Sequence, residues 1–315
     1  MLTRRQIRVK VMQAVYAHYN GNQQSLKEGG ASIKKSCLDM VNLYTTNLAL
    51  FKALWDFSVQ QHKIQSQQRK SDNPINDDYP FILSIEPLAL IAKHPFLAQK
   101  IESNKLTIWE MEFDYIRLLF NTITASPLYL EFKAKEAPSF KTQQKFLVKL
   151  FKDVIAPDER LFRFIEDLNM QWVDDLPVVN TYLLKQLRKL REEDMSSLVF
   201  PDLSQKHEDI DFGIALFEKV IVNQESLQQE FNGKTPNWDP DRIATLDSIL
   251  IKIAIAELIY FKEIPPKVTL NEYLEIAKEY STPKSNQFIN GVLDSLVKEY
   301  SKSDRLNKEG RGLLE

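Results

Sequence analysis

The chain has 315 residues, 43% of them hydrophobic and 27% charged, with a formal net charge of −2. That length can bury one large core or two moderate ones, and the composition is that of a globular protein. The near-neutral balance excludes a general nucleic-acid coat, so any nucleic-acid site must be local. A single cysteine, Cys37, excludes an internal disulfide and a cysteine-rich zinc site, which makes a reducing cytoplasm the expected location. Only eight glycines among many Leu, Ile, Lys and Glu point to an all-α chain.

Residues 3–20 carry the pattern of an amphipathic helix. Thr3 and Gln6 have the spacing of a capping box, and Ile7, Val11, Ala14, Val15 and His18 share one face. Arg4, Arg5 and Arg8 lie along one flank, with no acid in the first ten residues. They stand at the positive end of the helix dipole, at a cost of up to about 1 kcal/mol per charge. Something else must favour them. "NGNQQSLKEGGAS" reads as a turn-rich loop, and a long helix follows over 35–66. Polar "QSQQRKSDNPINDDYP" is the best internal breakpoint. From 86 to 192 single prolines punctuate several helical segments, among them "LTIWEMEFDYIRLLFNTI", "TQQKFLVKLFKDVIA" and "NTYLLKQLRKLREEDM". Trp55, Trp109, Phe120 and Phe151 in this stretch need burial somewhere.

Residues 208–231 read as one helix with acids at its start. Asp239 and Pro240 supply an N-cap and first residue for a helix over 240–261, apolar nearly all round and so the centre of a bundle. Lys252 and Glu257 interrupt its run "ILIKIAIAELIYF", which is too short to span a bilayer. No apolar stretch follows the basic start as a signal peptide requires. Thr269 and Glu272 read as a second capping box for a helix over 270–281, and Thr282 with Pro283 open another over 283–301. The tail "SKSDRLNKEGRGLLE" reads as polar and frayed.

No catalytic constellation emerges. Gly29 and Gly30 lack the strand and helix of a phosphate loop. His18, His62, His94 and His207 are far apart, and none has a convincing ligand three or four residues on. His18 belongs to a core or an interface. Cys37, without a paired base, is an inert thiol. The acids Asp72, Asp77 and Asp78, or Glu192, Glu193 and Asp194, read as solvated surface. No catalytic residue, metal or cofactor is expected.

"RRQIRVKVMQAVY" near the start and "DPDRIATLDSILIKIAIAELIYFKEIPPKVTLNEYLEIAKEYSTPKSNQFINGVLDSL" at 239–296 together resemble the bacterial transcription antitermination factors of the NusB family. "IPPKVTLNE" and "FINGVLD" are the specific part. The resemblance covers 3–20 and about 208–301, with 208–231 in the place of the family's third helix. It implies an all-helical fold of two small bundles without catalysis. It also implies binding of single-stranded boxA-type RNA together with the small-subunit ribosomal protein NusE, in support of ribosomal RNA transcription, with other Nus factors and RNA polymerase engaged indirectly. Membranes have no part in this.

By the same resemblance Arg4, Arg5 and Arg8 face RNA, each able to take a phosphate bidentately at a helix terminus that favours anions. Lys284 adds positive charge on that side. Phe288 is either stacked on an unpaired base, for about 1–3 kcal/mol, or buried. Tyr16, Asp241 and Asp247 match positions facing NusE, where acids suit a basic partner, and reversing the two acids is expected to slow association without disturbing the fold. Residues 1–20 are then the first helix of the core, 21–207 a helical insertion or enlargement packed on it, 208–301 a C-terminal bundle and 302–315 the tail. Two other readings stay open: a helical interaction scaffold that keeps the fold without RNA binding, and a relative of ribosomal RNA methyltransferases, which the missing cofactor-binding sheet and cysteine motifs disfavour.

Overall fold

The computed structural model describes residues 1–21, 25–67, 76–202, 207–232, 234 and 243–313. Among these every regular element is helical, and the only β contact is an isolated bridge between Arg191 and Asp194. The expected all-α class stands. Contacts divide the chain into two compact units, one of Leu38–Pro201 with Met1, the other of Leu2–Cys37 and Asp202–Glu315.

The terminal unit begins with α1 (Arg4–Asn20), whose capping box is as read: the Thr3 hydroxyl accepts from Gln6 N–H and the Gln6 side chain accepts from Thr3 N–H. Next comes α2 (Leu26–Gln67), which contributes its residues up to Cys37 to this unit and the remainder to the other. The helix starts well before residue 35, with Gly29 and Gly30 inside it. A Cβ on Gly29 would run into the Phe217 ring, so this glycine marks a close helix crossing and not a turn. Phe217 belongs to α12 (His207–Val222), and α13 (Gln224–Asn232) follows it. The single helix read over 208–231 is broken at Asn223, whose side-chain amide turns back to Lys219 O at 2.8 Å and whose carbonyl accepts from the Ser226 hydroxyl.

Then come α14 (Thr245–Tyr260), α15 (Pro266–Tyr280) and α16 (Ser285–Lys302). Ten consecutive residues of α14, Ile249 to Leu258, are buried, as its all-round apolar pattern requires. The Asp239–Pro240 cap lies outside the described residues. Both later starts shift. α15 opens at Pro266, a proline at its first position, which puts Thr269 and Glu272 inside the helix with their side chains turned to other helices. α16 opens at Ser285, after a turn in which Ser285 N–H donates to Thr282 O. The tail is docked, against expectation: Arg305 Nη2 lies 2.7 Å from Glu230 Oε1, Lys308 Nζ donates to Phe261 O, and Leu306 is buried.

Among the described residues the inserted unit holds the rest of α2 and nine further α-helices: α3 (Asp78–Leu83), α4 (Glu86–Ala92), α5 (Pro95–Ser103), α6 (Ile108–Met111), α7 (Phe113–Ala125), α8 (Pro127–Lys133), α9 (Phe140–Leu150), α10 (Glu159–Leu168) and α11 (Gln171–Leu187). α9 runs on into a π-helical turn, Phe151–Ile155. Trp55, Trp109, Phe120 and Phe151 are all buried here, as their size demands, and Trp109 Nε1–H donates to Thr46 O at 2.8 Å.

Candidate nucleic-acid interface

α1 packs on α12, α14 and α15. A Cβ on Gly213 of α12 would stand 2.5 Å from Ile7, and this close approach draws the arginine flank of α1 against carboxylates from three other helices. Arg8 is 2% exposed and its Nε and Nη2 each donate at 2.8 Å to the carboxylate of Glu257, itself fully buried. Thr269 Oγ1 and the Tyr273 hydroxyl donate to the same carboxylate at 2.8 and 2.9 Å. Four donors saturate its lone pairs. Burial opposes the charge on Arg8, and the hydrogen bonds and charge of Glu257 outweigh it, so the guanidinium titrates above its ordinary value. Burial, then the charge of Glu257, likewise pushes the Tyr273 phenol up.

Arg8 therefore offers no edge to an RNA phosphate. A guanidinium with no exposed edge cannot reach a phosphate, and the expected arc of three is corrected to two. The capping-box reading of Thr269 and Glu272 falls for the same reason, since the first serves Glu257 and the second accepts from Arg5 Nε and Nη2, both at 3.0 Å. Arg4 Nε donates to Asp209 at 3.0 Å and its guanidinium covers the Phe212 ring, 4.8 Å from the centroid. Arg4 and Arg5 keep 47% and 40% of their side-chain surface exposed. These carboxylates answer the question of the helix dipole: each arginine at the unfavourable end has an acid from another helix.

Asp247 is 5% exposed and accepts from the hydroxyls of Ser281 and Ser285. It fastens the turn between α15 and α16, so it is a buried group and not the exposed rim charge expected, and its reversal should disturb the fold. Lys284 is exposed on that same turn, so a residue assigned to RNA and one assigned to the protein partner meet there. Phe288 is half-buried, its ring edge-on to Phe231 of α13. Tyr16 is 46% exposed, twelve residues along α1 from Arg4, roughly 18 Å at the helical rise. Asp241 lies outside the described residues. His18 is half-buried, edge-on to Phe217. Sequence reasoning missed Glu257, Tyr273 and Phe212, although a carboxylate inside an otherwise apolar run was the visible signal for the first. Among the described residues no cluster of three or more His, Cys, Asp or Glu could hold a metal, and no helix is long and apolar enough to cross a membrane.

The sequence model of the NusB family matches residues 181–298. A transcription antitermination protein NusB of Salinibacter ruber is 39% identical over 123 residues, which are 39% of this chain and 77% of that protein. The chain belongs to the NusB family. Transcription antitermination proteins NusB of Chloroherpeton thalassium and Methylacidiphilum infernorum are 42% and 40% identical over 105 and 82 residues. Those matches cover 33% and 26% of this chain, and only 50% and 57% of the two relatives. The relatives are named for a role in transcription and not for a catalysed reaction. The family match starts within α11, in the inserted unit, and takes in α12 to α15 and most of α16, and α1 lies outside it.

Proposed function

We propose that the chain acts in transcription antitermination, binding boxA-type single-stranded RNA together with ribosomal protein NusE in support of ribosomal RNA transcription, with other Nus factors and RNA polymerase engaged indirectly in the cytoplasm. The observation that carries this reading is the half-exposed pair Arg4 and Arg5, on a helix whose third arginine is anchored in the bundle. A phosphate can take the guanidinium N–H groups that Asp209 and Glu272 leave open, or displace these carboxylates. Surface ion pairs contribute about 0–1 kcal/mol, so the exchange is inexpensive for a bidentate phosphate contact. Lys284 supplies a further exposed cation, Phe288 an aromatic face for a base, and Tyr16 a contact for NusE.

One observation favours a second reading, an interaction scaffold that keeps the fold without RNA binding: all three arginines already have carboxylate partners. Measuring the affinity for a boxA-type RNA with and without NusE separates the two. RNA binding that tightens when NusE is added supports the first reading, and no binding under either condition leaves the scaffold.

A further inference from the structure

On α9 of the inserted unit a row of cations stands without the acid partners that the arginines of α1 have. Lys141, Lys145 and Lys149 follow one another along α9 at four-residue steps, and Lys152 stands on the π-helical turn that continues it. At about 100° per residue the first three fall within roughly 80° of arc, and all four are exposed. The opposite side of α9, with Phe146, Leu147 and Leu150, is buried. Each step along the stripe rises about 6 Å. Lys141 Nζ donates to Gln144 Oε1 and Gln144 Nε2 to Leu190 O, both at 2.8 Å. That link brings the chain after α11, with exposed Arg188 and Lys189, beside the start of α9.

What distinguishes these cations is the lack of internal acids. Among the described residues Lys145, Lys149, Arg188 and Lys189 make no ion pair, and Lys152 meets only its exposed neighbour Asp153, at 3.9 Å. Acids at the margins include exposed Glu136 ahead of α9, Glu86, hydrogen-bonded to Gln143, and Glu192 to Asp194 beyond α11. A net charge of −2 for the whole chain conceals this face.

We propose that the lysine face of α9 is a second RNA contact, taking phosphates of the strand without regard to sequence. Lysines are mobile point charges suited to phosphates, and phosphate contacts carry no sequence information. An anionic membrane fits less well, because the apolar side of α9 is already packed and leaves nothing to enter lipid. The choice of RNA among polyanions rests on the transcription reading above.

The test uses the full chain and a long single-stranded RNA lacking any boxA-type sequence, titrated between about 50 and 200 mM salt. The variant K141Q/K145Q/K149Q/K152Q is expected to flatten the salt slope by about 2.8, at about 0.7 per phosphate contact. The corresponding four-arginine variant keeps both affinity and slope. A short boxA-type RNA reports on the reading above separately: if it binds no better than unrelated RNA while the lysine effect persists, that reading fails and this one stands. An unchanged slope in the glutamine variant, or no binding of the long RNA by the parent at low salt, overturns the proposal. So does loss of binding to phosphatidylglycerol vesicles in the variant with RNA affinity intact.

Discussion

Replacing Arg8 by methionine strands the carboxylate of Glu257 in a site with no solvent exposure, held only by the hydroxyls of Thr269 and Tyr273. Breaking a buried ion pair from one side costs about 3–5 kcal/mol, because the remaining charge is uncompensated. Adding Glu257→Gln removes that charge while leaving an amide oxygen for the hydroxyls. The double variant then costs about 1–3 kcal/mol, the penalty of one imperfectly satisfied buried polar group. The second substitution, destabilising alone, should therefore restore about 2 kcal/mol to the first. Urea unfolding followed through hydrogen exchange of α14 amides reads the terminal unit directly. A cost below about 1 kcal/mol for Arg8→Met, or additive losses in the double variant, would refute the buried network as the anchor of α1.

Gly29→Ala should destabilise the terminal unit by about 1–2 kcal/mol in the same assay, since overpacking against the fully buried Phe217 outweighs the gain in helix propensity. Asp247→Ala should lower the melting temperature and loosen the α15–α16 turn, by about 2–4 kcal/mol for two lost hydroxyl–carboxylate bonds. Any loss of NusE association should then track unfolding and not the encounter rate. Docking of the tail should depend on acid. Arg305 holds the Glu230 carboxyl below its ordinary value, against burial and with help from the Tyr300 hydroxyl. The stability this adds is fully present above the unfolded glutamate value near 4.5 and is lost as pH falls through the lower folded one. Exchange protection of residues 305–313 should fall in that window, and Glu230→Gln should abolish the pH dependence.

The helices were legible where one periodicity decided them. α14 is apolar on every side and is buried on every side; α1 shows both its capping box and its apolar face. Residues with two possible uses were misread. Thr269 and Glu272 have capping-box spacing, yet their oxygens serve partners on α14 and α1. Gly29 and Gly30 have the composition of a turn, but Gly29 clears room for Phe217. The arginines looked available because no acid lies near them in sequence. Their acceptors stand 205 to 267 residues away, a separation that no local pattern reveals. Asp247 looked like a surface charge because its two serine donors come from a turn 34 to 38 residues on. The lysines of α9 stand in plain view at four-residue steps, and the chain's near-zero net charge hid them.

On the proposed reading two arginines of α1, and not three, meet RNA. The salt dependence of affinity for a boxA-type RNA, measured for the parent and for R4Q/R5Q with the fold verified, tests it most directly. Loss of both contacts should weaken binding and flatten the slope by about 1.4, two contacts at about 0.7 each on a single strand. An identical slope in the variant would contradict it and move the RNA site away from α1.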